Sequence, residues 1–258
     1  MRYASDLTDQ EWDLISYCFP RPSKTGRPRT YPLREILNAI FYLVKTGCHW
    51  RYLPKDLPPW ESVYGYFRRW TNRGLIEEIH TLLREHTRLG VGRKRQPTAA
   101  VIDSQSVKAA ETCGQRGYDA GKKINGRKRH ILVDTTGLLL MVMVLPANIQ
   151  DRDGARLLLA KALAVFVKIK LIWADGGYAG QLVQWSRLAL HCVLEIVKRS
   201  DALSKFVVLP RRWVVERTFG WLGRSRRLNR DHERRQKVAE AMVYLAMSRL
   251  MLSRWAKH

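Results

Sequence analysis

The sequence predicts an α/β protein: a mixed five-stranded sheet with flanking helices, preceded by a small all-helical region. Three observations carry that prediction. Apolar residues recur at helical spacing through the first ninety-odd positions, then give way to short apolar runs bounded by turn residues. The change falls at GVGRKRQP (90–97), a basic, glycine-containing stretch that reads as a linker. Beyond it the elements run strand, hairpin, helix, strand, helix, strand, helix, helix. An antiparallel trio followed by βαβ crossovers builds one mixed sheet with helices on its faces. The 258 residues therefore divide into a helical domain over 1–92 and an α/β domain over 93–258.

In the first part, Thr8 with Glu11 spells a capping box ahead of Trp12, Leu14 and Ile15. Pro32 opens a second helix with Ile36, Leu37, Ile40, Phe41 and Val44 at helical spacing, and Gly47 ends it. An aromatic-rich third helix covers 61–73, and a fourth covers 75–88 with Leu75, Ile79 and Leu82. A Pro-rich basic loop, PRPSKTGRPRTYP, separates the first two. In the second part, 99–103 reads as a buried strand. Residues 129–133 and 138–145 read as two strands joined around Thr136-Gly137. A helix over 153–166 and an apolar strand over 169–174 follow, the strand running into Asp175-Gly176-Gly177. A helix over 179–190, a fifth strand over 192–198 and helices over 211–228 and 237–255 complete the chain.

Composition narrows the function. A hydrophobic fraction of 46% fits a globular protein. Lys and Arg number 46 against 23 Asp and Glu, a formal charge of +23. Such an excess repels itself and implies a polyanionic partner. Nucleic acid and an anionic membrane surface both satisfy that requirement. The N-terminal MRYASDLTDQEWDL lacks an apolar signal core, and the longest apolar run, 138–145, is too short to span a bilayer. The four cysteines are scattered without a CxxC, and neither Cys48-His49 nor His191-Cys192 has zinc-site spacing. They read as free thiols of a protein in a reduced cytoplasm.

Phosphodiester chemistry suggests where to look for a site. Two divalent ions about 4 Å apart can activate an attacking oxygen and steady a leaving one, and magnesium and manganese prefer carboxylate oxygens. Asp103 closes the first strand in Val101-Ile102-Asp103-Ser104, and Asp175 closes the fourth in Ile172-Trp173-Ala174-Asp175. The strand order makes these strands neighbours. Each aspartate taken singly reads equally well as a turn residue at a strand end. Glu216 lies at the edge of the apolar stripe Val215, Phe219 and Leu222, with Gly220 and Gly223 on its side of the helix. Each glycine costs about 1 kcal/mol relative to alanine in a helix, so two on one side imply a close approach there. An Arg212–Glu216 pair at i,i+4 spacing accounts for Glu216 equally well. Asp134 reads as a turn residue, Asp151 and Asp153 as helix caps, and Asp119 as a loop residue within range of the site.

The basic residues gather in two runs. Lys122, Lys123, Arg127, Lys128 and Arg129 lead into the second strand, and nine arginines with no lysine fall between 211 and 235. Arginine forks bind phosphate bidentately. The runs flank Asp103 and Glu216 and read as a DNA channel including Arg212, Arg224 and Arg227. Trp213 and Trp221 read as core residues or as platforms for exposed bases. Arg27 and Arg29, in Gly26-Arg27-Pro28-Arg29, resemble a minor-groove hook.

The element order matches that of ribonuclease H-like proteins. The segments VIDSQSVK (101–108), GYDAGKKINGRKRHILVD (117–134), PANIQDRDGA (146–155), IWADGGYAG (172–180) and LPRRWVVERTFGWLGRSRRLNRDHE (209–233) resemble the DDE transposases of bacterial insertion sequences, specifically insertion sequence family 5. YASDLTDQEWDLI and GCHWRYLPKDLPPWESVYGYFRRW resemble that group's small helical domain, so the likeness runs over essentially the whole chain. The resemblance implies a ribonuclease H-like catalytic domain whose metal site is Asp103, Asp175 and Glu216, holding two Mg²⁺ with Mn²⁺ able to substitute. It implies that Asp103 bridges the ions and that Arg212 holds a phosphate. In the family's glutamate-region signature, Leu209 stands at the tyrosine position and Gly223 at the final basic position, with Arg224 one place later. The implied activity is recognition of an element's terminal inverted repeats, cleavage at each end to free a 3′-hydroxyl, and attack of that hydroxyl on target double-stranded DNA. Handling two ends together implies a homodimer in the synaptic complex. Two rivals stand beside it: a structure-specific nuclease that cuts without joining, and an inactive relative kept as a DNA-binding repressor. The dedicated helical domain disfavours the first and the intact acidic trio the second.

Overall fold

The sheet grows outward from two long strands. β1 (Ala99–Lys108) and β3 (Ile124–Asp134) pair antiparallel from Ala100↔Asp134 to Lys108↔Gly126. β4 (Leu139–Pro146) returns along the far edge of β3, through a turn in which Gly137 takes φ +85°. Asp134 Oδ1 accepts from the Thr136 and Leu138 amides at 2.8 and 2.9 Å, the turn role that the sequence assigns to it. β5 (Leu171–Ala174) pairs parallel with β1, and β6 (Val193–Ile196) pairs parallel with β5. A three-residue strand, β2 (Gly117–Asp119), pairs with the start of β3 beyond the end of β4. All five predicted strands are present, in the ribonuclease H-like order β4-β3-β1-β5-β6. The sixth, β2, is too short to carry a periodic signal, and β1 and β3 run further than the apolar pattern alone predicts. This computed structural model describes residues 2–21, 28–197 and 210–255.

Strand alternation sends successive side chains to opposite faces, and each face has its own cover. Ile102, Leu132 and Ile172 pack beneath α5 (Asp151–Val165) and α6 (Gln181–Leu190), against Leu158, Leu159 and Ala162. Val101, Ile131, Val133 and Val142 face α7 (Pro210–Gly223) and α8 (Gln236–Trp255). The helix predicted over 211–228 stops at Gly223, and a 3-10 turn at Arg226–Leu228 follows.

The N-terminal helices are α1 (Asp9–Asp13), α2 (Leu33–Thr46), α3 (Trp60–Arg73) and α4 (Leu75–Gly90). Both bonds of the predicted capping box form: the Glu11 amide donates to Thr8 Oγ1 at 3.1 Å, and the Thr8 amide to Glu11 Oε2 at 2.9 Å. Gly47 ends α2 at φ +73°. One apolar cluster runs from Leu37 and Ile40 through Met247 of α8 to Val142 of the sheet. The helical region thus shares a core with the α/β part, and a buried ion pair between Arg88 of α4 and Asp134 ties it to the hairpin turn. The boundary at 92 rests on the sequence.

One buried histidine gives the fold a pH dependence. His130 on β3 has no exposed surface, and neither ring nitrogen has a hydrogen-bond partner. Its ring packs closely on Gly154 of α5, where a Cβ would lie 2.2 Å from it. Burial holds its pKa down at about 4, against an opposing pull from Asp151. The unfolded chain therefore takes up this proton first as pH falls from about 6.5 toward 4, so stability is lost on acidification through that window. We expect about 2 kcal/mol of the loss between pH 7 and pH 5 to come from this group. Denaturant unfolding at the two pH values should show a correspondingly smaller loss in His130→Leu.

Candidate active site

Asp103 and Asp175 come from adjacent parallel strands. The paired stretch ends at Val101↔Trp173, and carrying its register on by two residues puts Asp103 level with Asp175, which lies just past the end of β5. Neighbouring strands lie about 4.8 Å apart, so the two carboxylates belong to one small region at the end of the sheet. Both residues are half-buried. Asp103 Oδ1 accepts from the Ser104 amide at 2.7 Å. Asp175 caps the 3-10 turn Gly176–Tyr178, accepting from the Gly177 amide at 2.8 Å.

Sequence reasoning missed a polar cluster that adjoins this pair. Ser104 points to the α5 side of β1 and donates to Asp151 Oδ1 at 2.7 Å. Lys128 Nζ lies 3.0 Å from the same oxygen and 3.5 Å from Asp119, which also accepts from Ser106 at 2.5 Å. Asp151 therefore serves this network, and the N-cap of α5 is Gln150, with no side-chain cap bond. The Tyr178 side chain is buried, and its hydroxyl has no partner of good geometry. Burial pushes its pKa well above the usual tyrosine range, and Asp103, Asp151 and Asp175 push it the same way. The three carboxylates thus concentrate negative potential at one point. The only sequence signal for Tyr178 is its place three residues after Asp175.

Glu216 lies on the third element. α7 packs on β1, β3 and β5 through buried Val215 and Leu222, and Thr218 Oγ1 donates to the Gly137 carbonyl at 2.8 Å. Asp103 shares the sheet face of Val101, the face that α7 covers. Glu216 itself is exposed. A Cβ built at Gly220 or Gly223 would meet no atom within 4 Å among the described residues. The side of α7 that carries these glycines is therefore uncrowded by the chain's own described residues. Among the described residues, no three acidic, histidine or cysteine side chains stand close enough together to hold a metal ion. The donor chemistry nonetheless suits a hard divalent cation: two neighbouring carboxylates at the sheet end and a third on the helix packed over the same strands.

The expected DNA contacts divide sharply. Arg127, Lys128, Arg129 and Arg227 are at most 5% exposed, which corrects the expectation that they face DNA. β3 is a central strand covered on both faces, so alternation turns Arg127 and Arg129 under the loop before α8 and Lys128 under α5. Arg127 donates to the carbonyls of Gln115, Glu233 and Arg234 at 2.9–3.0 Å. Arg129 donates to the Leu228 carbonyl at 2.7 Å, and burial lowers its pKa to about 10. Arg227 pairs with Glu233 at 2.7 Å and donates to the Cys48 carbonyl at 3.2 Å. Lys122, Lys123 and Arg224 are exposed. Arg29 donates to the carbonyls of Pro20 and Arg21 at 2.6 and 2.8 Å. Arg27 and the Arg212 side chain lie outside the described residues. Trp221 is flanked by the guanidiniums of Arg217 and Arg254, 4.8 and 4.3 Å from its ring, while Trp213 is 43% exposed. The four cysteines are free thiols.

A sheet of this order, with one acidic residue midway along β1, where the sequence predicts that strand to end, and another just past the end of the neighbouring β5, defines the ribonuclease H-like class. The chain belongs to the transposase DDE domain family, whose model matches residues 94–251; a model for transposases of the IS4/5 family matches residues 7–80. Relatives include the uncharacterised protein y4sN of Sinorhizobium fredii, 31% identical over 118 residues that cover 45% of this chain and 87% of that protein. Another is the uncharacterised 16.2 kDa protein of insertion element IS402 from Burkholderia cepacia, 28% identical over 109 residues, 40% of this chain and 73% of that one. Similar solved structures include the Drosophila P element transposase strand transfer complex, at 15% identity and TM-score 0.35, matching 74% of this chain and 45% of that one. The Mos1 mariner paired-end complex with Mn matches 92% of this chain and 80% of that one, at 11% identity and TM-score 0.27.

The buried cations should behave as structural parts. Arg227→Met leaves the Glu233 carboxylate buried without its cation, and should cost about 3–5 kcal/mol in urea unfolding. Arg227→Met with Glu233→Leu removes both charges and should recover a large part of that loss.

Proposed function

We propose that this chain recognises the terminal inverted repeats of its element, cuts the DNA there, and joins the freed 3′-hydroxyl strands to target DNA. The reading rests on the family and, above all, on the register of β1 with β5, which, carried on by two residues, puts Asp103 level with Asp175 on strands that the helix of Glu216 packs against. These three residues would hold two Mg²⁺, or Mn²⁺ in their place, which when bound supply charge stabilisation to the attacking and leaving oxygens.

The protein's own groups do the rest. The Gly177 amide orients the Asp175 carboxylate, and Ser104 and Lys128 fix Asp151 on the opposite side of β1. The buried Tyr178 side chain lies within electrostatic reach of Asp103, Asp151 and Asp175. Glu216 approaches from α7, whose glycines leave room for a phosphate backbone. Lys122, Lys123 and Arg224 hold phosphates along the flanks as charged contacts without sequence preference. Arg212, by its place in the family pattern, holds a further phosphate. The helical region over 1–92 reads the ends, and a homodimer brings two of them together. None of the described helices is long and apolar enough to cross a membrane; the reading itself puts the protein at the bacterial nucleoid in the cytoplasm.

The test is a cleavage and strand-transfer assay on DNA carrying the element's ends, with Mg²⁺ or Mn²⁺. Metal-dependent cutting and joined product are expected. Asp103→Asn, Asp175→Asn and Glu216→Gln should each lower both by at least about 10²–10³-fold, the scale for losing a group that stabilises developing charge, while leaving end binding intact. Tight end binding by the native chain with no cutting under either metal would overturn the enzymatic reading and favour a repressor.

A further inference from the structure

A cavity of about 770 Å³ lies between the N-terminal helices and the loop that precedes α8. That volume falls within the ~300–1,000 Å³ typical of ligand sites. One wall is aromatic: Trp50, Trp60 and Tyr64. Trp50 is backed by buried Phe67 at 5.2 Å and meets Tyr64 edge-on at 5.1 Å. Arg51 lies over Trp60 at 5.3 Å, which fixes that ring as well. Beneath them the Thr71 side chain is 1% exposed and its hydroxyl has no partner.

The opposite wall is cationic. Arg234 and Arg235 line it beside the His232 imidazole, while Arg68 of α3 lies over the Tyr64 ring at 5.9 Å. Among the described residues the one carboxylate in the lining is Glu233, which Arg227 already pairs at 2.7 Å. The backbone of this wall is held rigidly. Arg127 binds the Glu233 and Arg234 carbonyls, and Gly114 lies so close that a Cβ there would be 2.1 Å from the Arg234 carbonyl oxygen. Burial, Arg227 and His49 together lower the His232 pKa, so the imidazole is neutral near pH 7 and can both donate and accept hydrogen bonds.

Flat aromatic faces opposite exposed guanidiniums suit a π-faced group joined to a phosphate. We infer that this cavity is a nucleotide pocket, in which an unpaired base packs against Trp60 and Tyr64 while its phosphate meets Arg68, Arg234 and Arg235. It is distinct from the Asp103–Asp175 region. An unstacked nucleotide of bound DNA is the source we commit to, which rests on the DNA-handling reading above; a free nucleotide presents the same chemistry.

The experiment uses the full chain and two probes. One is a duplex ending in a two-nucleotide single-stranded tail that carries 2-aminopurine, compared with the same duplex blunt. The other is AMP, followed by tryptophan quenching. The tailed duplex should bind about tenfold more tightly than the blunt one, with the 2-aminopurine quenched, consistent with the stacking of one base. Tyr64→Ala and Arg68→Gln, both at exposed positions, should erase that preference, bringing the ratio of tailed to blunt affinity down to about one. Micromolar quenching by AMP without a tail preference, lost in the same variants, would keep the nucleotide pocket and reassign its source to a free ligand. Blunt-duplex binding with neither a tail preference nor AMP quenching would overturn the pocket and spare the DNA reading. No binding to any duplex, with AMP quenching that the variants abolish, would overturn the DNA reading and spare the pocket.

Discussion

The guanidinium of Arg127 sits inside the protein, bonded to the carbonyl oxygens of Gln115, Glu233 and Arg234, with Asp231 at 3.5 Å. An interior cation is tolerable only when its donors are satisfied, and here the acceptors come from two distant stretches of chain. Residues 231–234 are therefore bound to β3. The same segment extends β1, through the Asp231 amide on the Lys108 carbonyl and the Ala110 amide on the Asp231 carbonyl. Arg227, paired with Glu233, reaches the Cys48 carbonyl at the end of α2. Sheet, pre-α8 loop and N-terminal helices are thus joined through two buried arginines and their carboxylates.

That linkage determines what the surface can offer. With the loop fixed, its remaining side chains, His232, Arg234 and Arg235, are presented toward the aromatic wall of α3. α8, which starts one residue after Arg235, carries Met247 and Leu245 into the apolar cluster shared with the N-terminal helices. The arginine-rich segment therefore has two jobs divided by position: some members build the scaffold, and their neighbours in sequence remain at the surface. The same division holds on β3, where Lys128 is bound to Asp151 and Asp119 on the face opposite Arg127.

The carboxylate pair depends on the sheet in a simpler way. β1 and β5 need only pair in parallel, in the observed register, for Asp103 and Asp175 to meet. The α7 face of the sheet then decides which helix lies above Asp103. Around the pair, Tyr178 and the Ser104–Asp151–Lys128 chain form a buried polar base. The Ser104–Asp151–Lys128 part of it holds one geometry well because breaking it leaves a polar group without its partner.

The sequence by itself determined the strand order, the capping box at Thr8, the turn at Asp134 to Gly137, and the acid that directly follows β5. Each of these is a local pattern, of period, cap chemistry or turn chemistry, and local patterns survive in a linear string. The tertiary structure alone decided which charges are buried. Lys122 and Arg127 look alike in one basic run, yet the first is exposed and the second is enclosed. The difference arises because β3 begins at Ile124 and is covered on both faces. It also requires acceptors such as the Glu233 carbonyl, more than a hundred residues away, and no local pattern reports a partner at that separation.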